Sequence, residues 1–140
     1  MVKQEKTNIL DESYPSDLGI RKDIIDTICA KIAASDMNIS IAPEELYLSL
    51  DEAITNAMEH GNRWNSGKRI HVTVTANSGE IVIAIADEGK GFDTRDIAAS
   101  LKKRNLLSTR GRGIYIINQF CDINWNEKGN QINLRIPRGK

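Results

Sequence analysis

Cysteine and proline are scarce in this sequence, and each scarcity excludes a class of protein. The two cysteines, Cys29 and Cys121, are too few for a disulfide framework and do not have the spacing of a metal-binding motif. We therefore expect both thiols to be reduced and buried. With three prolines and ten glycines among 140 residues, the chain is not collagen-like, of low complexity or intrinsically disordered.

An excess of charge of one sign is also absent, because 19 basic side chains balance 19 acidic ones. The whole chain lacks the strong positive field on which nucleic-acid binding depends, so we expect no direct nucleic-acid partner. The longest apolar run, 81–86, has six residues, whereas a membrane-spanning helix needs roughly twenty. The first ten residues are polar and charged, unlike a secretory signal. These absences predict a cytoplasmic protein without a membrane partner.

The length and composition are those of a single ordinary domain. A chain of 140 residues has the usual size of one domain. It is 40% hydrophobic and 27% charged, which is enough apolar material for a sizeable core. No repeat or linker rich in Pro, Gly or Ser divides the sequence, so we expect residues 1–140 to form one domain.

Hydrophobic periodicity predicts three helices and two hairpins. Apolar residues recur every three or four positions after Ser16, a plausible N-cap, and again after Pro43, a favourable first-turn residue. Alternation and β-branched runs indicate the hairpins, and residues 1–12 could at most add an edge strand. The predicted helices cover 16–35, 43–60 and 114–120, and the predicted strands cover 70–75, 81–85, 123–126 and 131–136.

The order helix, helix, hairpin, variable segment, helix, hairpin predicts the α+β class. Amphipathic helices and half-apolar hairpins bury their apolar faces against each other most simply in two layers. We therefore expect a two-layer α/β sandwich, with about three helices on one face of a mixed, mainly antiparallel sheet of about four or five strands.

A polar arc on the helix predicted over 43–60 holds the first candidate functional residues. It consists of Glu45, Ser49, Glu52, Asn56 and Glu59. Glu52 and Asn56 are four residues apart and therefore project from one face. An Asn carbonyl oxygen suits Mg²⁺, and a neighbouring carboxylate can act as a general base. Such a pair is also common on a solvated helix face, which is the alternative.

Two alternating glycines follow the strand predicted over 81–85. The segment reads Asp87-Glu88-Gly89-Lys90-Gly91-Phe92. A carboxylate at a strand end can accept a hydrogen bond from an exocyclic amine such as that of adenine, and glycines without Cβ let the backbone approach a flat ring. A glycine turn capped by a solvated aspartate is the alternative.

A second glycine pair, Gly111-Arg112-Gly113-Ile114, precedes the third predicted helix. Free amides and the dipole at a helix N-terminus favour an anion. Residues 93–112 carry six basic and two acidic side chains, and the resulting net charge of +4 would attract a polyphosphate. The alternatives for these two features are a flexible hinge and a solvated basic loop.

The order of these motifs resembles that of the GHKL, or Bergerat-type, ATP-binding superfamily over about residues 40–136. Residues 52–62, which read Glu-Ala-Ile-Thr-Asn-Ala-Met-Glu-His-Gly-Asn, are similar to its N box. Residues 87–92 are similar to its first glycine box, and 111–114 to its second. Glu52 in place of the first Asn, together with the His-Gly-Asn ending, resembles the branch of bacterial anti-sigma-factor serine kinases and switch kinases.

The resemblance implies a Bergerat-type fold and a role for each motif residue. Asn56 would help to hold Mg²⁺, and Glu52 would be the catalytic base that acts on a serine hydroxyl. Asp87 would bind the adenine amine, and residues 93–110 would form an ATP lid. The other cofactor-binding residues would be the glycine-box residues, with Gly89 and Gly91 against the base and Gly111, Arg112, Gly113 and Ile114 at the phosphates.

As an activity, the resemblance implies a Mg-ATP-dependent protein serine/threonine kinase of the anti-sigma type. Such a protein binds a sigma factor and phosphorylates a serine on a small antagonist protein, and a homodimer through the sheet is compatible with the sequence. A nucleotide-binding regulatory module that sequesters a partner without phosphoryl transfer is the alternative of a different class. The separate catalytic domain of a histidine kinase is the third possibility.

Overall fold

The computed structural model describes residues 6–35, 37–91 and 109–139, which form five strands and three α-helices. The strands are β1 Thr7–Pro15, β2 Arg69–Ala76, β3 Glu80–Ala86, β4 Asp122–Trp125 and β5 Gln131–Pro137. The α-helices are α1 Arg21–Ala34, α2 Pro43–Asn56 and α3 Thr109–Phe120. A 3₁₀ turn, Leu18–Ile20, precedes α1, and a π-helical segment, Ala57–Gly61, extends α2. None of the helices in these described ranges is long and apolar enough to cross a membrane.

The strands form one sheet in the order β1-β2-β3-β5-β4, and all neighbouring pairs within the described residues are antiparallel. Both predicted hairpins are present, as β2–β3 and β4–β5. Asn77 closes the first hairpin by accepting hydrogen bonds from the amides of Gly79 at 2.8 Å and Glu80 at 2.9 Å. β1 is an edge strand. The predicted α+β class is confirmed, and the described sheet is antiparallel throughout rather than mixed.

One face of the sheet is apolar because alternate strand residues are aliphatic. The inward residues are buried: Ile70, Val72 and Val74 on β2, and Ile81, Ile83 and Ile85 on β3. They share one core cluster with buried isoleucine and leucine side chains of α1 and α2. Removing this apolar surface from water stabilises the fold by about 25 cal/mol per Å². The helices therefore form a second layer over this face.

The first helix begins later than predicted. α1 starts at Arg21 after the 3₁₀ turn, and the residue that caps this turn is Asp17 rather than Ser16. The pairing of β1 with β2 explains the difference, since it continues to Pro15. Ser16 then donates its backbone amide to the carbonyl of Lys68 at 2.9 Å. The chain is thus held beside the sheet at the position where a helix is predicted to start.

The second helix begins as predicted, whereas the third begins earlier. Pro43 lies in the first turn of α2, and the Glu45 side chain accepts a 2.7 Å hydrogen bond from the amide of Ala42. The π-helical segment then carries the chain to the predicted end of this helix. α3 starts at Thr109 rather than at Ile114. Both glycines of the second pair therefore lie inside α3.

Both cysteines are free thiols, as expected. Cys121 is buried and Cys29 is partly buried. Burial raises the pKa of each thiol above its ordinary value, because a thiolate is poorly solvated in the protein interior. Both thiols therefore remain protonated at neutral pH and act as small apolar side chains.

Candidate functional site

The acid and amide residues of α2 lie next to the second glycine pair. α2 packs on α3, and a Cβ atom placed on Gly113 would be 2.7 Å from Oε2 of Glu52 and 3.1 Å from Nδ2 of Asn56. A side chain at position 113 would push these two groups away. Glu52 and Asn56, one helical turn apart, therefore meet α3 near its start.

Asp87 follows β3 directly, and its carboxylate lies between two glycines. Oδ1 accepts a 2.7 Å hydrogen bond from the amide of Gly89. Oδ2 lies over Gly61, where a Cβ atom would be 2.1 Å away. The structure therefore brings the first glycine box against the end of the π-helical segment, which forms the second half of the N box.

The two glycines of the first box allow close backbone packing. A Cβ atom on Gly89 would be 2.2 Å from the carbonyl oxygen of Gly61. Gly91 has a φ of 82°, and a Cβ atom there would be 1.9 Å from the carbonyl oxygen of Lys128. Gly89 is also buried, and the Asp87 carboxylate that accepts its amide is partly buried.

Asn62 is not among the predicted site residues, yet it joins the same segments. It is fully buried, its Oδ1 accepts a 2.8 Å hydrogen bond from the amide of Glu88, and its Nδ2 donates to the carbonyl of Arg69 at 2.9 Å. Asn62 thus connects the end of the π-helical segment to β2 and to the first glycine box. Asn62 is part of the His-Gly-Asn ending, but the sequence pattern of that ending does not indicate that Arg69 and Glu88 are its partners.

The β4–β5 turn, residues 126–130, also reaches Asp87. The amide of Asp87 donates to the carbonyl of Asn130 at 2.9 Å, and Nδ2 of Asn130 donates to the carbonyl of Asp87 at 2.9 Å. By the resemblance, Asn130 and Gln131 stand where the family usually carries Thr near the adenine, and both can hydrogen-bond, but the sequence leaves the role of Asn130 open. The contact forms only when β5 pairs with β3.

A small open cavity of about 20 Å³ lies between the helices and the sheet at this point. Aliphatic side chains of α2, β3, α3 and β5 line it, together with the polar residues Asn56, Asp87 and Asn130. This lining, apolar with a few convergent polar groups, is of the kind found in small-molecule sites. A second cavity of about 200 Å³ shares Asp87 with the first, and its lining includes the basic residues Arg63, Lys68 and Lys90.

Only part of the predicted polar arc of α2 belongs to this site. Ser49 is fully buried, and its hydroxyl donates a 2.8 Å hydrogen bond to the carbonyl of Glu45. Glu45 itself caps the start of α2. These two members of the arc therefore bond within and at the start of α2. Glu52 and Asn56 are the members of the arc that lie against Gly113.

The sequence predicts that the second glycine box lies in front of the third helix. In the structure it lies within α3. Gly111 and Arg112 are in the first turn of α3, where a helix leaves backbone amides for an external acceptor. Gly113 follows them, and Ile114 lines the smaller cavity. Most of the predicted ATP lid, 93–108, lies outside the described residues.

A family model of the histidine kinase-like ATPase domain matches residues 22–136. The chain belongs to this family. The match includes the α2 pair, both glycine boxes and every strand except β1 and the last residue of β5. Membership of this ATPase family implies that the domain binds ATP and has chemistry of the ATPase or kinase type.

Two anti-sigma F factors are similar to this histidine kinase-like ATPase domain. The one from Priestia megaterium is 34% identical over 85 residues, which cover 56% of this chain and 55% of the relative. The one from Shouchella clausii (strain KSM-K16) is 29% identical over 97 residues, which cover 68% of this chain and 66% of the relative. The chain thus matches between about half and two thirds of the length of these curated relatives. With the family match, they confirm the resemblance to the anti-sigma branch of the GHKL superfamily.

A solved structure, that of the mycobacterial sensor histidine kinase MprB, shares the fold of this ATPase domain. The TM-score is 0.56, and the alignment covers 97% of this chain and 98% of that chain. The identity is 14%, so this likeness shows the fold alone. It agrees with the two layers and the five-stranded sheet described above.

The amide of Asn56 fits a nucleotide and its metal ion. Its Nδ2 is buried and has no hydrogen-bond partner within the described residues. An unpaired buried N–H group costs about 1–3 kcal/mol, which a ligand oxygen would recover. The described residues contain no group of three or more His, Cys, Asp or Glu side chains that could hold a metal. If Asn56 holds Mg²⁺, it would do so through Oδ1, and phosphate and water oxygens are the further ligands that this ion commonly takes.

Proposed function

We propose that this histidine kinase-like ATPase domain is a Mg-ATP-dependent protein serine kinase that acts as an anti-sigma factor. In this proposal the protein binds a sigma factor and phosphorylates a serine on a small antagonist protein. The names of the two similar anti-sigma F factors support the choice of partners. The position of Glu52 supports phosphoryl transfer.

The observation that carries the proposal is the meeting of Glu52, Asn56 and Gly113 where α2 packs on α3. A carboxylate at this place can accept the proton of a hydroxyl group beside a nucleotide that Asn56 helps to hold. Glu52 is therefore proposed as the catalytic base.

The other motif residues are proposed to bind ATP. Asp87 accepts a hydrogen bond from the adenine amine, and Gly89 and Gly91, which pack on the carbonyls of Gly61 and Lys128, shape the backbone beside the ring. Mg²⁺, when bound with the help of Asn56, neutralises phosphate charge. Phosphoryl transfer requires mainly such positioning and charge neutralisation. The proposed phosphate site is the early part of α3, where the positive end of the helix favours an anion, and it consists of Gly111, Arg112, Gly113 and Ile114.

Replacing Glu52 by Gln tests the proposal. Glutamine keeps the size of the side chain but cannot accept a proton, so we expect transfer to fall about 10²- to 10⁴-fold. The affinity for ATP should stay within about twofold, because Glu52 is not proposed to bind the ground-state nucleotide. Transfer from Mg-ATP to candidate antagonist proteins is measured, and mass spectrometry locates the phosphate. Glu44→Gln, an exposed acid in the first turn of α2, is the control and should transfer normally.

Three results would contradict the proposal. Normal transfer by Glu52→Gln would remove this residue from the mechanism. An acid-labile phosphate on the acceptor would indicate phosphohistidine and favour a histidine kinase domain. ATP binding without transfer to any candidate serine would favour the regulatory module that sequesters its partner.

A further inference from the structure

The residue proposed to recognise adenine is attached to the β4–β5 turn by an asparagine side chain. In an antiparallel ladder, every second pair of facing residues exchanges two backbone N–H···O bonds. The last regular pair of β3 and β5 is Ala86 opposite Gln131. At the next position Asp87 donates its amide to the carbonyl of Asn130, but the return bond comes from the Asn130 side chain. Asn130 thus holds both backbone polar groups of Asp87.

The backbone amide of Asn130 is engaged elsewhere because Asn126 accepts it. Oδ1 of Asn126 accepts hydrogen bonds from the amides of Gly129 at 2.8 Å, Asn130 at 3.0 Å and Gln131 at 3.2 Å. One side-chain oxygen therefore accepts three of the amide groups of the turn. The backbone amide of Asn130 is therefore not available to the carbonyl of Asp87, and the side-chain Nδ2 of Asn130 donates to that carbonyl instead.

The two side-chain amides are oriented in one direction only. Because Oδ1 of Asn126 accepts three backbone amides, its Nδ2 is the group that donates to Oδ1 of Asn130, at 2.7 Å. The Asn130 oxygen then faces Asn126, so its Nδ2 faces the carbonyl of Asp87 at 2.9 Å. The side-chain amide of Asn126 thus fixes the orientation of the Asn130 amide, and the Asn130 amide in turn bonds to Asp87.

The same turn contacts the first glycine box a second time. The carbonyl of Lys128 lies so close to Gly91 that no Cβ atom fits there. The carboxylate of Asp87, in turn, accepts the amide of Gly89 and lies over Gly61. The β4–β5 turn therefore fixes the backbone of the first glycine box, and Gly61 and Gly89 fix the position of the Asp87 carboxylate.

We propose that Asn126 and Asn130 are positioning residues for recognition of the nucleotide base. They fix the backbone of Asp87 and thereby keep its carboxylate at the edge of the apolar cavity. This inference rests on the proposed function, in which that carboxylate accepts a hydrogen bond from the adenine amine. Its consequence is base selectivity, because the position of the carboxylate matters for ATP and much less for ITP, which carries an oxygen in place of the amine.

Calorimetric titration of the full chain with Mg-ATP and with Mg-ITP tests this inference. We expect the wild type to prefer ATP at least about tenfold, as a hydrogen bond to a charged acceptor requires. In Asn130→Ala the affinity for ATP should fall about tenfold, whereas the affinity for ITP should stay within about twofold. The ratio of the two affinities is a readout that a merely structural role would not move.

Two further variants complete the experiment. Asn126→Asp keeps an oxygen for the three turn amides but loses the donor to Asn130, so it should also lower the preference for ATP. It serves as the test if Asn130→Ala does not fold. Asn133→Ala is the control, because it removes a 2.7 Å amide bond to Asn124 that joins the same two strands away from the glycine box. The preference of this control for ATP should equal that of the wild type.

Two results would overturn the positioning role. Equal weakening of ATP and ITP binding would show that the substitutions only loosen the turn, and unchanged ATP binding in both variants would show that Asp87 needs no such support. Failure of the proposed function gives a different result. In that case the wild type binds neither nucleotide, or Asp87→Asn binds ATP as tightly as the wild type does.

Discussion

Among single residues, Gly113 allows an effect on catalysis to be separated from an effect on folding. A Cβ atom there would meet Oε2 of Glu52 at 2.7 Å, at the end of a flexible side chain that can move aside. Alanine also favours a helix over glycine by about 1 kcal/mol. We expect Gly113→Ala to melt at or above the wild-type temperature and to transfer phosphate at least about tenfold more slowly. Thermal melting and the transfer assay on one preparation check both parts.

Gly89→Ala is the matched control for this prediction. Its Cβ atom would lie 2.2 Å from the backbone carbonyl oxygen of Gly61, which cannot turn away as a side chain does. Overpacking of this kind costs about 1–3 kcal/mol, so Gly89→Ala should melt at a lower temperature than the wild type. Transfer at the wild-type rate by Gly113→Ala would mean that Glu52 does not act from its present position.

Local spacing predicts some residues of the site and misses others. Glu52 and Asn56 are one helical turn apart, and Asp87 follows a strand directly. These local patterns are enough to identify all three as candidate site residues. The bonds of Asn62 to Glu88 and of Asn130 to Asp87 join residues 26 and 43 positions apart. No pattern within one element marks such a pair, because asparagine is equally common in exposed turns.

Between elements, Asn62 is the main polar connection from the end of α2 to the sheet. Asn62→Ala would leave the amide of Glu88 and the carbonyl of Arg69 without this partner. We expect the free energy of unfolding in urea to fall by about 2 kcal/mol, since two partly buried hydrogen bonds are lost and each contributes about 0.5–1.5 kcal/mol. Asn65→Ala removes an exposed bond to the Gly67 amide in the same loop and should change it by less than about 0.5 kcal/mol. Equal effects of the two substitutions would disprove the special role of Asn62.

The type of each element is predictable from the sequence, but its ends are not. Period-two alternation identifies β2, and apolar spacing of three and four identifies α1 and α2. The start of α1 is mispredicted because Ser16 is a good N-cap residue locally, whereas pairing of β1 with β2 holds it beside the sheet. Glycines cost a helix about 1 kcal/mol each, which favours a start after Gly113. In the structure α3 nevertheless begins at Thr109.

For the whole molecule, the two layers follow from the sequence pattern, but the order of the strands does not. Hairpins with one apolar face require a cover of helices, and this much is predictable. Nothing in the local pattern of β4 and β5 indicates that β5 pairs with β3 and leaves β4 at the edge. This order matters for the site, because it places the β4–β5 turn beside Asp87.

The central claim is that the region around Asp87 and Asn56 binds Mg-ATP. Calorimetric titration of ATP with and without Mg²⁺, on the wild type and on Asp87→Asn, tests it most directly. We expect magnesium-dependent binding by the wild type and about 10- to 100-fold weaker binding by Asp87→Asn, because a hydrogen bond to a charged acceptor contributes about 1.5–3 kcal/mol. Equal affinity of the two proteins, or no binding by the wild type, would contradict the account.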